Sequence, residues 1–342
     1  RGNSDFPDNL RHSLKHQPLA GKSGWVYLSS IEVDRQNGRD VVLRGSITAL
    51  VTPFREGGVD EKAFQDLVEW QIQQGVHGLV PCGTTGESPS LTHDEHERIV
   101  DLCIEVAAKR VPVIAGTGSN STAEAVSLTR HAADAGADAA LVVMPYYNKP
   151  TKEGQYEHFK AIAENAEIPI IIYNIPGRCV VDMTVDTMAR LAKIPNIIGV
   201  KDATGDATRP SLVRQLIGKD FCQLTGEDGC VPAMLAHGGH GCISVTANVA
   251  PALCASMHEA WQEGDANLAL EIHDQLTPLN DALFVETSPG PIKYALSLLG
   301  HCSPELRLPM TDIKGSTKEL VHAALESAGL LNSGERQWQA AT

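Results

Sequence analysis

A lysine closes the run Ile197-Ile198-Gly199-Val200-Lys201. A short, β-branched, apolar run of this kind reads as a buried strand. With a side-chain period of two, Lys201 shares a face with Gly199 and Ile197, while Ile198 and Val200 face the helix layer. Gly199 leaves room beside the lysine for an incoming molecule. Desolvation at such a place favours the neutral amine, and a neutral amine attacks a carbonyl carbon to form a Schiff base. Position alone leaves a second reading open, in which Lys201 leaves the strand end and reaches solvent. Tyr173 ends a neighbouring apolar run and shares a face with Ile171. A phenol there can relay the protons that carbinolamine formation and dehydration require, or it can simply pack. The turn Gly83-Thr84-Thr85-Gly86-Glu87 offers hydroxyls and backbone N–H groups to a carboxylate, unless it is chosen only for tightness. Arg178 offers a planar fork suited to a second carboxylate, or is a surface arginine.

These residues need a scaffold that gathers strand ends. From Gly45 onward, short apolar runs alternate with longer amphipathic stretches. The expected strands are 47–51, 78–82, 111–116, 140–145, 169–174, 197–202, 222–227 and 241–247. Their spacing, mostly about 25–33 residues, suits one strand plus one crossover helix, and the shorter last gap leaves room for only a short helix. Segments 59–75, 92–110 and 121–136 read as helices. Thr92 with Glu95, and Ser121 with Glu124, stand at helix-start spacing, and Gly136 closes the third. Eight such units predict an α/β fold, a (β/α)8 TIM barrel whose catalytic groups lie at the C-terminal strand ends. No GxGxxG opens the first helix, which argues against an open doubly wound sheet. Residues 44–264 are assigned to the barrel. Residues 265–332 read as a C-terminal helical appendage, with helices at 267–284 and 291–299, and 333–342 as a tail. Residues 1–43 are polar and aperiodic and read as an N-terminal extension without a secretory or transit signal.

The chain of 342 residues has a net charge of -14, so a nucleic acid or an anionic membrane is a poor partner. No apolar run approaches the roughly 18 residues of a membrane span. The eight cysteines form no CxxC pair and read as small buried hydrophobes in a reducing compartment, which points to the cytoplasm.

Taken together, Gly83-Thr84-Thr85-Gly86-Glu87, Tyr173-Asn174-Ile175-Pro176-Gly177-Arg178 and Ile198-Gly199-Val200-Lys201-Asp202-Ala203-Thr204-Gly205 resemble the dihydrodipicolinate synthase / N-acetylneuraminate lyase family. Pro145-Tyr146-Tyr147-Asn148-Lys149-Pro150 and Gly238-Gly239-His240-Gly241-Cys242-Ile243-Ser244-Val245 support it. The similarity runs from about residue 45 to 331. Within the family, the resemblance is to the bacterial branch that condenses pyruvate with aspartate 4-semialdehyde on the way to lysine and diaminopimelate. It implies that Lys201 forms the Schiff base without any cofactor. It also implies a proton relay of Tyr173, Thr84 and Tyr147, with Tyr147 supplied by a neighbouring subunit. Thr85 would hold the pyruvate carboxylate, Arg178 would meet the semialdehyde, and Gly226 and Ile243 would line the pocket. The family further implies a homotetramer, and feedback inhibition by L-lysine at Ser88, His93, His96, Asn120, Glu124 and Tyr146. Gly177 stands where some members carry serine, Cys179 where threonine or serine is common, and Pro89 where small residues are common. Gly177 and Cys179 flank Arg178, so the departures fall where the acceptor aldehyde would bind, and another carboxylated aldehyde is the alternative substrate. A non-catalytic keto-acid-binding barrel is a further rival. So is a metal-dependent aldolase built on His237 and His240 or on His93 and His96, although each pair lacks the third ligand such sites recruit.

Overall fold

The computed structural model describes residues 43–331. The expectations for the extension before residue 43 and for the tail at 333–342 lie outside the described residues. Eight parallel strands form the barrel: β1 Gly45–Ala49, β2 Gly78–Val80, β3 Ile114–Gly116, β4 Ala139–Val143, β5 Ile170–Asn174, β6 Ile197–Asp202, β7 Cys222–Thr225 and β8 Gly241–Ser244. The sheet runs β2-β1-β8-β7-β6-β5-β4-β3. A parallel bridge from Leu79 to Val113 closes it, with hydrogen bonds from Leu79 N–H to Pro112 O (3.0 Å) and from Gly116 N–H to Pro81 O (3.0 Å).

Alternation along each strand divides the apolar residues into two layers. Ile47, Val80, Ile114, Leu141, Ile171 and Leu224 fill the barrel interior. Leu79, Val142, Ile172 and Val200 pack outward under the helices. The surrounding helices are α1 Glu61–Gln73, α2 His93–Ala107, α3 Thr122–Ala135, α4 Lys152–Asn165, α5 Val185–Leu191, α6 Arg209–Leu216, the six-residue α7 Val231–Ala236, and α8 Pro251–Gln262. Three more follow: α9 Ala266–Leu283, which packs on α8, then α10 Gly290–Leu298 and α11 Gly315–Ser327. Among the described residues no helix is long and apolar enough to cross a membrane.

Two local expectations change. Val59 does not begin the first helix. It pairs with Phe54 in a two-stranded hairpin whose turn residues Glu56 and Gly57 both have positive φ, and Asp60 then caps α1. At α2 the capping box forms in full, with Thr92 Oγ1 accepting from Glu95 N–H and Glu95 Oε2 accepting from Thr92 N–H. At α3 only half of the equivalent arrangement forms. Ser121 Oγ accepts from Glu124 N–H, but the Glu124 carboxylate turns away to His93 and Ser119.

Burial holds several imidazoles neutral: His96 and His158 are lowered to about 4, and His258 to about 3. Below an ordinary value of 6.5 the unfolded chain takes up protons that the folded chain refuses. Stability is therefore present above that pH and is lost as pH falls through the window down to the folded values. By pH 5 each of these histidines costs about 2 kcal/mol. Calorimetric scans between pH 7.5 and pH 5 should show the melting temperature falling by several degrees. A flat profile would remove these histidines from the acid response.

Candidate active site

Lys201 is 5% exposed and stands in register with Tyr173 across β6 and β5. Its Nζ lies 4.3 Å from the centroid of the Tyr173 ring. The face assignment needs one correction. Ile170 pairs with Ile197, but Ile171 already pairs with Gly199, so Ile198 is an extra residue in β6. This bulge breaks the period of two. Ile197 packs outward and Ile198 touches the inner layer, the reverse of strict alternation, while Val200 faces the helices as expected. Beyond the bulge the period resumes, which keeps Lys201 inside.

Gly226 follows β7 and faces the lysine directly. A Cβ placed there would stand 2.9 Å from Lys201 Cε and 2.9 Å from Ala203 Cβ, so only glycine leaves the side chain its path. Ile243 of β8 is fully buried in the same inner layer as Tyr173. The threonine turn follows β2, with Thr85 buried and Thr84 half-buried. It is closed by bonds from Gly86 N–H to Gly83 O and from Glu87 N–H to Thr84 O, each 3.1 Å, and Thr52 Oγ1 donates to Gly86 O at 2.7 Å. Arg178 is exposed in the short helical turn Pro176–Cys179. It therefore lies at the rim, not among the buried groups.

Sequence reasoning missed what holds these groups. Asn174 and Asp202, the residues directly after Tyr173 and Lys201, belong to one polar network. Arg209 Nε lies 3.0 Å from Asp202 Oδ2, and its Nη1 lies 3.1 Å from Asp182 Oδ2. Asn174 Nδ2 donates to Asp182 Oδ1 at 2.7 Å, and its Oδ1 accepts from Met183 N–H at 3.0 Å. The network ties both strand ends to the 182–183 segment. The only sequence signal was a polar residue immediately after each candidate. Glu227 and Asp228 were also passed over. Burial raises both carboxyls; the neighbouring Asp228 charge raises Glu227 further, while Lys201 acts the other way on each. Asp228 accepts from Ser244 Oγ and, at 2.9 Å, from Val245 N–H, which fixes the chain just past Ile243.

A second cluster lies on the helix layer. His93 Nε2 is 2.7 Å from Glu124 Oε1, and Ser119 Oγ donates to the other carboxylate oxygen. The Ser119 and His93 bonds hold the Glu124 carboxyl below the usual range. Tyr146 is raised, by burial first and then by the Glu124 charge, and it contacts the Asn120 backbone. Ser88 is half-buried at the start of a short turn, Ser88–Ser90. His96 points elsewhere: it is buried, with Nε2 2.8 Å from Gly116 O at the end of β3. Tyr147 is 89% exposed with φ at +68°, a strained backbone for a bulky residue. The remaining histidine candidates also have local partners, His237 at Ser211 Oγ (3.1 Å) and His240 Nδ1 accepting from Gln223 N–H (3.0 Å).

The family model for the dihydrodipicolinate synthetase family matches residues 42–328. A 4-hydroxy-tetrahydrodipicolinate synthase from Rhodospirillum centenum is 65% identical over 290 residues, covering 85% of this chain and 100% of that protein. Among solved structures, dihydrodipicolinate synthase from Acinetobacter baumannii in complex with pyruvate is 45% identical with a TM-score of 0.82, covering 84% of this chain and 99% of that one. The enzyme from Cyanidioschyzon merolae with lysine bound is 38% identical with a TM-score of 0.82, at the same coverage. The barrel, the order of its motifs and these likenesses agree, and the chain belongs to the dihydrodipicolinate synthetase family.

Proposed function

We propose that the chain is a Schiff-base-forming lyase that condenses pyruvate with L-aspartate 4-semialdehyde to give 4-hydroxy-tetrahydrodipicolinate. The carrying observation is the buried Lys201 amine over the Tyr173 ring, inside a barrel of this family. The Lys201 amine adds to the pyruvate keto carbon, and loss of water leaves an imine. Loss of a methyl proton gives the enamine, which forms the new carbon–carbon bond to the aldehyde as the aldehyde oxygen is protonated. The amino group of the semialdehyde then attacks the imine carbon, closes the ring and releases Lys201. No cofactor enters any step.

Tyr173 and Thr84 carry protons in the imine-forming steps. Thr85 and its turn hold the pyruvate carboxylate, and Arg178 at the rim meets the carboxylate of the semialdehyde. Gly226 and Ile243 shape the space between them. Tyr147 projects from its own chain in a strained conformation, which suits a side chain that completes the relay in a neighbouring subunit. The active form is then a homo-oligomer, a tetramer by analogy with the family. Eight free thiols, six of them buried, suit a reducing compartment such as the cytoplasm.

A coupled assay with pyruvate and aspartate 4-semialdehyde tests the substrate assignment. Borohydride added with pyruvate should leave a stable adduct on Lys201, found by peptide mass mapping. Inactivation with Lys201 unmodified would sink the mechanism. Turnover only with another carboxylated aldehyde would keep the chemistry and replace the second substrate.

L-lysine fits the second cluster as a feedback inhibitor. Glu124 supplies a carboxylate for its amino group, beside His93, Asn120, Tyr146 and Ser88, while His96 is held at Gly116 O. Glu124→Gln is expected to raise the lysine concentration for half-inhibition at least tenfold while leaving uninhibited turnover within about twofold, since losing a charge-assisted bond costs roughly 1.5–3 kcal/mol. Activity of the unmodified enzyme that ignores millimolar lysine would overturn this assignment alone.

A further inference from the structure

Glu87 and Lys293 form an ion pair sealed from water. Lys293 Nζ lies 2.6 Å from Glu87 Oε1, with side-chain exposures of 0% and 3%. The lysine stands on α10, beyond the eight βα units. It also donates to Glu305 O at 2.8 Å and lies 4.0 Å from the centroid of the Phe54 ring. The glutamate is the last residue of the threonine turn. Its N–H closes that turn on Thr84 O at 3.1 Å, and its backbone is left-handed, with φ at +55°. The other carboxylate oxygen accepts from Arg307 N–H at 3.2 Å. Both oxygens of Glu87 are thus held from the C-terminal region, while its backbone holds the turn that carries Thr84 and Thr85.

Two well-packed apolar side chains would fill this space with no desolvation cost, so stability alone is a weak reason for a buried ion pair. A non-glycine residue held in the left-handed region also needs its surroundings to keep it there. We propose that Lys293 is a positioning residue for the pyruvate site: through Glu87 it fixes the threonine turn that receives the pyruvate carboxylate. The inference rests on the proposed role of Thr84 and Thr85. It gives the C-terminal helical region a part in substrate binding, adding a hold on Glu87 to the bond that Thr52 makes at Gly86.

The test is borohydride trapping of the Lys201 adduct as a function of pyruvate concentration, with thermal unfolding measured alongside. Lys293→Met and Glu87→Gln each leave a buried partner unmatched, and either change alone could weaken the fold. The double variant E87Q/K293M removes both charges together. It should recover most of the melting temperature lost in the single variants, yet still need at least ten times more pyruvate for half-maximal trapping. Lys293→Arg, which keeps the charge, should fall between the double variant and the unmodified chain. A folded double variant that half-saturates within twofold of the unmodified chain would show a purely structural pair and overturn this inference alone. An unmodified chain that forms no adduct on Lys201 would overturn the functional reading, and this inference with it.

Discussion

Replacing Lys201 with alanine is expected to lower kcat/KM for the condensation by roughly 10⁴ to 10⁶, the scale of losing a covalent nucleophile. Two effects are combined in that loss, because the alanine variant removes both the amine and a cation near two carboxylate-bearing substrates. Lys201→Arg separates them. The guanidinium keeps the charge but stays protonated, so it cannot form the imine. Equal loss in both variants assigns the effect to covalent chemistry. Activity in Lys201→Arg within tenfold of the unmodified chain would mean that the residue serves only as a charge. The fold should survive either change among the inner residues, since Lys201 makes its close contact with the Tyr173 ring and no strand hydrogen bond depends on its side chain.

Tyr173→Phe is expected to cost about 10² to 10⁴ in turnover, the usual worth of a positioned proton donor or acceptor. The ring packs in the inner layer against residues such as Ile171, and phenylalanine keeps that packing, so the melting temperature should hardly move. The loss should appear in the rate of imine formation, followed by quenching with borohydride at short times, more than in the amount of adduct at equilibrium. If the variant traps pyruvate at the unmodified rate and still turns over slowly, the phenol acts after the imine. Full activity would remove Tyr173 from the relay. A related packing change gives a contrast: Gly226→Ala would press a methyl group against Lys201 Cε and Ala203, moving the amine without removing it.

Local pattern carries further for backbone than for side-chain partners. Eight apolar runs at βα spacing were enough for the barrel, because a strand buried on both faces must be apolar along its length. Thr92 and Glu95 were legible as a helix start because a capping box is complete within four residues. The bulge at Ile198 was not legible, since it arises from the register between β5 and β6 and leaves no mark in β6 alone. The Phe54–Arg55 and Gly58–Val59 hairpin escaped for a similar reason: its strands are two residues each, too short to show a period.

That Lys201, Tyr173, Thr84, Thr85 and Arg178 stand at the end of an apolar run or in the turn after one could be read from the sequence. What holds them depends on residues in other segments of the chain. Asn174 and Asp202 meet through Arg209 and Asp182, and Glu87 meets Lys293, more than two hundred positions on. Such pairs follow no period, because nothing in one residue's neighbourhood specifies a partner that only chain closure brings near. The same holds for exposure: a tyrosine pair at 146–147 reads alike in sequence, yet the fold half-buries Tyr146 beside Glu124 and turns Tyr147 out to solvent. The candidate groups were therefore written locally, in the types of residue at strand ends. Positioning was decided only by the tertiary structure, because burial and charge pairing are properties of space, not of spacing.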